Sequence, residues 1–266
     1  MSDLDALESQ SVYILREAFN RIDKLAMLWS VGKDSNVMIW LARKAFFGRV
    51  PFPVIHVDTS YKLPEMIQFR DRMAKEWGLD LIVSSNRAAL DAGMSHEKGR
   101  VTCCTALKTD GLKSVIADHG FTGVIAGIRR DEEGTRAKER VFSPRGSDAA
   151  WNFRDQPPEL WSHYNLDPPP GAHLRVHPLL AWTELDVWRY IERESIPVVN
   201  LYFAQGGKRY RSLGCAPCTQ PISSQAATVG EIITELRGTH VAERSGRAQD
   251  RESESAFETL RANGYM

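Results

Sequence analysis

Cysteine is scarce in this sequence, with four in 266 residues. That is too few to staple a chain of this length, so a disulfide scaffold is excluded. No apolar run approaches the ~18 residues that a membrane helix needs, and neither a span nor a membrane partner is expected. The N-terminus, Met1-Ser2-Asp3-Leu4-Asp5, is acidic and has no apolar signal region, which predicts the cytoplasm. Charge of one sign is missing too, with 34 basic against 34 acidic residues. A balance of zero neither favours nor excludes a nucleic-acid partner, because local patches decide that. Repeats and low-complexity segments are absent. What remains is 42% hydrophobic and 26% charged, the make-up of a globular protein long enough for a sizeable core.

The chain is organised around Ser30-Val31-Gly32-Lys33-Asp34-Ser35. Before it, Leu25 to Trp29 is a short apolar run that reads as a buried strand. After it, Val37, Met38, Leu41, Ala42 and Ala45 recur at helical spacing. The stretch is therefore a strand-to-helix turn. Its glycine admits a ligand close to the backbone, and the first free N–H groups of the helix point at that ligand. An anion, most simply a phosphate, suits such a turn. The spacing differs from G-x-x-x-x-G-K-[ST], so this is not the P-loop of kinases and GTPases. An ordinary glycine-containing turn would show the same six residues.

Further strands are expected at Pro53–Thr59, Leu81–Val83, Gly123–Ile128 and Arg175–Leu180, with helices between them. An amphipathic helix over Ser9–Asn20 precedes the first strand, and Thr183-Glu184-Leu185-Asp186 is a capping box opening a later helix. The alternation predicts an α/β fold, a doubly wound and mostly parallel sheet. Ligands bind beyond the carboxyl ends of such strands, so the turn and Asp58 should converge on one crevice. Residues 86–105 lack periodicity and read as a loop ending in Cys103-Cys104, with a helix from about Ala106 to His119. The charge run Arg129 to Glu139 falls at a strand's carboxyl end. Such runs are usually solvated faces. Beside a phosphate turn, however, Arg129, Arg130, Arg136 and Lys138 would neutralise a triphosphate and its leaving group. Residues 142–172, rich in Pro, Asp and Trp, read as a loop excursion. A last helix is expected over Val229–Arg237, and Lys98, Arg100, Lys208, Arg209 and Arg211 form a candidate polynucleotide patch or scattered solvated charges.

The pattern S-x-G-K-D-S resembles the pyrophosphate loop of the ATP pyrophosphatase superfamily. With Met27–Ala45, Pro51–Asp71, Lys108–Leu112, Arg129–Arg140, Arg175–Trp188 and the tail Glu243–Arg247 with Asp250-Arg251, the chain resembles the small, ATP-binding subunit of bacterial sulfate adenylyltransferase, in the wider family of adenylylsulfate and phosphoadenylylsulfate reductases. The resemblance implies an adenine nucleotide alpha hydrolase-like domain over residues 1–195 and a C-terminal helical and loop extension over 196–266. It also implies cleavage of ATP between the α and β phosphates, with Mg and ATP as cofactors. By the same resemblance Ser30, Gly32, Lys33, Asp34 and Ser35 hold the pyrophosphate, Asp58 and Arg136 lie near the nucleotide, and Lys33, Asp34, Arg129 and Arg130 serve catalysis.

Two features depart from the subunit. It carries a longer insert where Tyr202–Leu213 is short here, and it usually lacks the four cysteines. Cys103-Cys104 with Cys215-x-x-Cys218 resembles the 4Fe-4S ligand set of the cluster-bearing reductases. Structural zinc, a vicinal disulfide and unrelated buried cysteines stay open as alternatives. No cysteine lies beyond Cys218, so the tail nucleophile of a reductase is missing. An adenylating enzyme with a cluster is similar to the ATP pyrophosphatases that insert sulfur into nucleic acids, as in DNA phosphorothioation. That resemblance implies a cysteine desulfurase as sulfur donor and a nucleic acid as acceptor. The sulfate adenylyltransferase alternative implies a GTPase large subunit, and a non-catalytic nucleotide-binding subunit is a third reading. A homodimer is compatible with each.

Overall fold

Leu25–Leu28 forms strand β1, buried along its whole length. It pairs in parallel with β2 (Val54–Val57) on one side and with β4 (Gly123–Ile125) on the other. A strand covered on both faces by helices reads as an unbroken apolar run, which is why β1 has no alternation. The computed structural model describes residues 3–146, 150–152, 154, 156, 158–166, 171–239, 241 and 243.

Helix α1 (Asp3–Arg21) buries Ile14, Leu15 and Ala18 against α2 (Lys33–Ala45), which also packs on α7 (Glu184–Glu194). Between β2 and β3 (Leu81–Ser84) runs α3 (Pro64–Glu76), whose proline stands at the start of the helix, where its missing N–H costs nothing. The sheet order is β3-β2-β1-β4-β6-β5, with β6 at His173–Val176 and β5 at Phe142–Arg145. Only β5 runs antiparallel. The chain winds outward from β1 in one direction and then, through β4, in the other. The β1/β4 junction is thus the switch point, where a crevice opens at the carboxyl ends.

The doubly wound fold expected from the sequence is present, and three local expectations are corrected. Residues 86–105 are largely helical, with α4 (Arg87–Asp91), a 3-10 turn at His96–Lys98 and α5 (Arg100–Cys104). From α5 the chain runs through a π-helical stretch at Thr105–Thr109 into α6 (Asp110–His119). These pieces are too short for periodicity to register. The stretch read as an excursion from 142 opens with β5, whose Phe-Ser-Pro-Arg lacks the β-branched residues of a strand and becomes one by pairing with β6. The strand expected at Arg175–Leu180 lies earlier, and Pro178 onward is a turn. The capping box forms as expected: the Thr183 hydroxyl accepts the Asp186 N–H at 3.2 Å, and the Asp186 carboxylate accepts the Thr183 N–H at 3.0 Å.

A two-stranded ribbon, β7 (Lys208–Arg209) with β8 (Ile222–Ser223), and α8 (Val229–Arg237) complete the described elements. Helix α8 packs on α7 and begins and ends where the sequence predicts. No helix among the described residues is long and apolar enough to cross a membrane. Pro168–Pro170 and the tail residues Arg244–Arg247, Asp250 and Arg251 lie outside the described residues.

Candidate active site

The turn after β1 is shaped by its neighbours as much as by its own residues. Val31 is fully buried and holds a φ of +66°. A β-branched residue in the left-handed region costs of the order of 1–3 kcal/mol, so the surrounding packing enforces it. Gly32, by contrast, is extended, with φ −78°, and is needed for space. A Cβ there would lie 3.3 Å from Ser30 Oγ and 3.5 Å from the Tyr202 hydroxyl. Ser35 Oγ donates to the Gly32 carbonyl at 2.9 Å, and the Lys33 amide donates to the Tyr202 hydroxyl at 2.9 Å. Trp29 Nε1 donates to Asn36 Oδ1 at 2.8 Å, tying the strand end to the helix it feeds.

Charge around the turn is dense and nearly dry. Lys33 Nζ lies 3.4 Å from Asp34 Oδ2 and is ion-paired with Glu243 Oε1. Arg129, fully buried, meets three carboxylates among the described residues. Its Nη1 faces Asp34, its Nη2 faces Glu243, and its Nε donates to Asp131 Oδ1 at 2.9 Å. Burial alone would lower the Arg129 pKa, but the Glu243, Glu132 and Asp131 charges raise it above its ordinary value. Burial alone would raise Glu243; Arg129 and Lys33 instead hold it well below the usual carboxylate range. Arg136 pairs with Glu132, and with Glu133 at 3.3 Å.

A cleft of about 170 Å³ opens at the β1/β4 junction. Ser30, Gly32, Lys33, Asp34, Ser35 and Arg136 line it. Leu28, Ile55, Val57 and Ile128 supply an apolar wall. Gly127 lets the chain after β4 pass close to the turn, since a Cβ there would sit 3.5 Å from the Asp34 backbone. Arg129 stands behind the turn, reaching it through Asp34. Arg130, Asp58 and Lys138, like Arg129, do not line the cleft. Arg130 is exposed, with its guanidinium donating to the Glu139 carbonyl at 3.3 Å. Asp58 accepts the Ser60 N–H at 2.8 Å and shapes the turn after β2. Tyr202, Lys62, Lys108 and Glu243 line the cleft without having been singled out for it. Lys62, Lys108 and Glu243 lay in the family-like segments Pro51–Asp71, Lys108–Leu112 and the tail from Glu243, which was their legible signal.

Arg209 is buried, with hydrogen bonds to Ser224 and Glu235, and Arg211 holds Glu184 at 2.7 Å. Both are therefore structural, and the five-residue polynucleotide patch is not assembled.

Cys103, Cys104, Cys215 and Cys218 come from distant parts of the chain to line one small cavity, with Lys108 shared between it and the cleft at the β1/β4 junction. None of the four is joined in a disulfide. Burial, with the adjacent Cys104, pushes Cys103 up to about 11, and burial with Cys215 pushes Cys218 up as well. The void between them is about 10 Å³, room for about one water. Among the described residues no group of three or more His, Cys, Asp or Glu side chains is arranged to hold a single metal ion. The number and convergence of the thiols match the four-thiolate donor set of an iron–sulfur cube, and the packing around them would have to open to admit one.

The relatives and the family model that the chain matches make it an ATP-using enzyme of the adenylyltransferase class. Residues 24–221 match the phosphoadenosine phosphosulfate reductase domain, and the chain belongs to that family. It is similar to a protein of Trichlorobacter lovleyi named sulfate adenylyltransferase subunit 2, 43% identical over 297 aligned positions that take in 100% of this chain and 99% of the relative. The alignment is longer than this chain, so that relative carries residues with no counterpart here. The fold is also that of the phosphoadenylyl-sulfate reductase of Candida auris, with a TM-score of 0.56 at 16% identity over 83% of this chain and 98% of that one. Candida glabrata FMN adenylyltransferase in complex with ATP superposes with a TM-score of 0.58 at 15% identity, over 98% of this chain and 83% of that one.

Proposed function

We propose that the chain transfers the adenylyl group of ATP to the oxygen of a small oxyanion, sulfate, and releases pyrophosphate. The observation that carries this is the cleft in which the Ser30–Ser35 turn, Lys33 and Arg136 face an apolar wall. The wall suits an adenine ring, and the cations suit a polyphosphate. The acceptor oxygen attacks the α phosphorus as the bond to the β phosphate's bridging oxygen breaks. Lys33, backed by Arg129 through Asp34, would hold the charge that develops on the leaving pyrophosphate. Mg would be bound mostly by phosphate oxygens, with Asp34 and Glu132 as the cleft's oxygen donors, and would offset part of that charge. Residues 1–195 carry this chemistry, and the extension from 196 contributes Tyr202 and Glu243. A GTPase large subunit would be the partner, as in the sulfate adenylyltransferases that the chain resembles, and the cytoplasm its compartment. The test is pyrophosphate–ATP exchange with and without sulfate. Sulfate-dependent exchange that Lys33→Ala abolishes supports the reading, and turnover retained in Lys33→Ala overturns it.

A second reading shares the adenylylation and is favoured by the convergence of the four thiols beside the cleft. Cys103, Cys104, Cys215 and Cys218 would hold a 4Fe-4S cluster, which supplies electron transfer or a sulfur relay when bound. Sulfur delivered as a persulfide by a cysteine desulfurase, and reduced by two electrons from an external donor, would then displace the activated oxygen as AMP, on a nucleic acid as in DNA phosphorothioation. An anaerobic absorbance spectrum with iron and sulfide assays separates the two. About four irons per chain, lost in Cys103→Ser with Cys218→Ser, favours the second; a colourless protein active on sulfate favours the first.

A further inference from the structure

Glu243 is 210 residues from Lys33 in sequence, yet its carboxylate is ion-paired with both Lys33 and Arg129 and almost wholly shielded from water. These are the cations nearest the turn that would hold the pyrophosphate end of ATP. A carboxylate with one oxygen on each cation satisfies them as a phosphate's oxygens would. The segment carrying Glu243 is also tethered. The Val241 carbonyl accepts from Arg211 Nη1 at 2.8 Å, and Arg211 in turn clasps Glu184, with Nε at 3.1 Å and 3.2 Å from its two oxygens. Asp131 closes the chain of contacts, accepting the Glu184 N–H at 2.7 Å and Arg129 Nε at 2.9 Å.

Among the described residues, three carboxylates, Asp34, Asp131 and Glu243, pair with the two cations Lys33 and Arg129. Asp34 and Asp131 are fixed near the turn and at the entry to α7. Asp34 also engages both cations, but from beside Lys33 in the first turn of α2, whereas Glu243 reaches them from 210 positions away in sequence.

We infer that Glu243 is a displaceable carboxylate plug of the pyrophosphate cradle, which the nucleotide must expel and whose return drives pyrophosphate out. The inference rests on the reading of the turn as the pyrophosphate site. An occupied cradle lowers the apparent affinity of any phosphate ligand by the fraction of molecules in which the plug is out. The same competition shortens the stay of the product.

Calorimetric titration of the full-length protein with inorganic pyrophosphate tests this without requiring turnover. Glu243→Gln keeps the side chain's size and removes its charge, and should bind pyrophosphate at least tenfold more tightly than the parent. Arg211→Lys keeps a cation for Glu184 and loses the fork that reaches the Val241 carbonyl; it should tighten binding threefold or more. It decides the matter by the same criterion if Glu243→Gln fails to fold. Unchanged or weaker binding in the variant overturns the plug, because Glu243 would then be ordering the two cations for the ligand. If neither parent nor variant binds pyrophosphate, the cradle falls, and with it the proposed adenylyl transfer.

Discussion

The Tyr202 hydroxyl accepts the amide N–H of Lys33 at 2.9 Å, joining the C-terminal part of the chain to the first turn of α2 across 169 positions. Tyr202 is itself held, fully buried, with its ring edge-on to Trp188 at 5.4 Å. One orphan donor of the helix start is thereby occupied, and those that remain define where an anion can sit.

Tyr202→Phe leaves that buried amide without its partner, at a cost of about 1–3 kcal/mol. The melting temperature should fall by several degrees, and the KM for ATP should rise more than kcat falls. Chemical denaturation beside steady-state kinetics checks both.

Gly32→Ala should behave differently, because φ −78° is acceptable to alanine. Its methyl would press on Ser30 Oγ at 3.3 Å, inside the cleft. Stability should change by less than about 1 kcal/mol, while ATP affinity falls tenfold or more. A large loss of stability with unchanged affinity would show that the glycine serves the fold.

Arg129 and Arg130 are adjacent in sequence and opposite in role. Arg129→Lys removes the fork that meets three carboxylates, and should lower kcat at least a hundredfold and destabilise by about 3–5 kcal/mol. Arg130→Ala should leave kcat within about threefold and stability within about 1 kcal/mol. Parallel kinetics and thermal melts of the two variants test the contrast.

Acid should destabilise the protein in a defined window. His56, His173 and His177 are each lowered to about 4, in every case first by burial, with Lys62, Arg175 and Arg145 among the charges acting the same way. Their unfolded values lie near 6.5, so below that pH the unfolded chain binds more protons than the folded one. The stability they contribute is whole above about pH 6.5, and is lost as pH falls toward 4. Urea midpoints should drop steadily between those values. Replacing His173, at the start of β6, by Gln should flatten part of the slope.

The parallel sheet was legible because buried strands read as apolar runs: β1 and β4 are unbroken, and β2 is interrupted only by His56. The helices with strong periodicity and caps were legible for a like reason, α7 and α8 most of all. Short helical pieces between 87 and 104 were not, since five residues cannot display a 3.6-residue period. Strand β5 was hidden because its pairing with β6, and not its residues, makes it a strand.

By itself the sequence determined the strand-turn-helix at Ser30–Ser35, the mostly parallel sheet around it and the presence of just four thiols, because these depend on local pattern and count. Tertiary structure decided which charges share a site. It separated Arg129 from Arg130, turned Asp58 to its own backbone, gathered the four cysteines about one void and brought Glu243 onto Lys33. Residues hundreds of positions apart meet only when a chain closes on itself, and a charge takes its meaning from the partners that closure supplies.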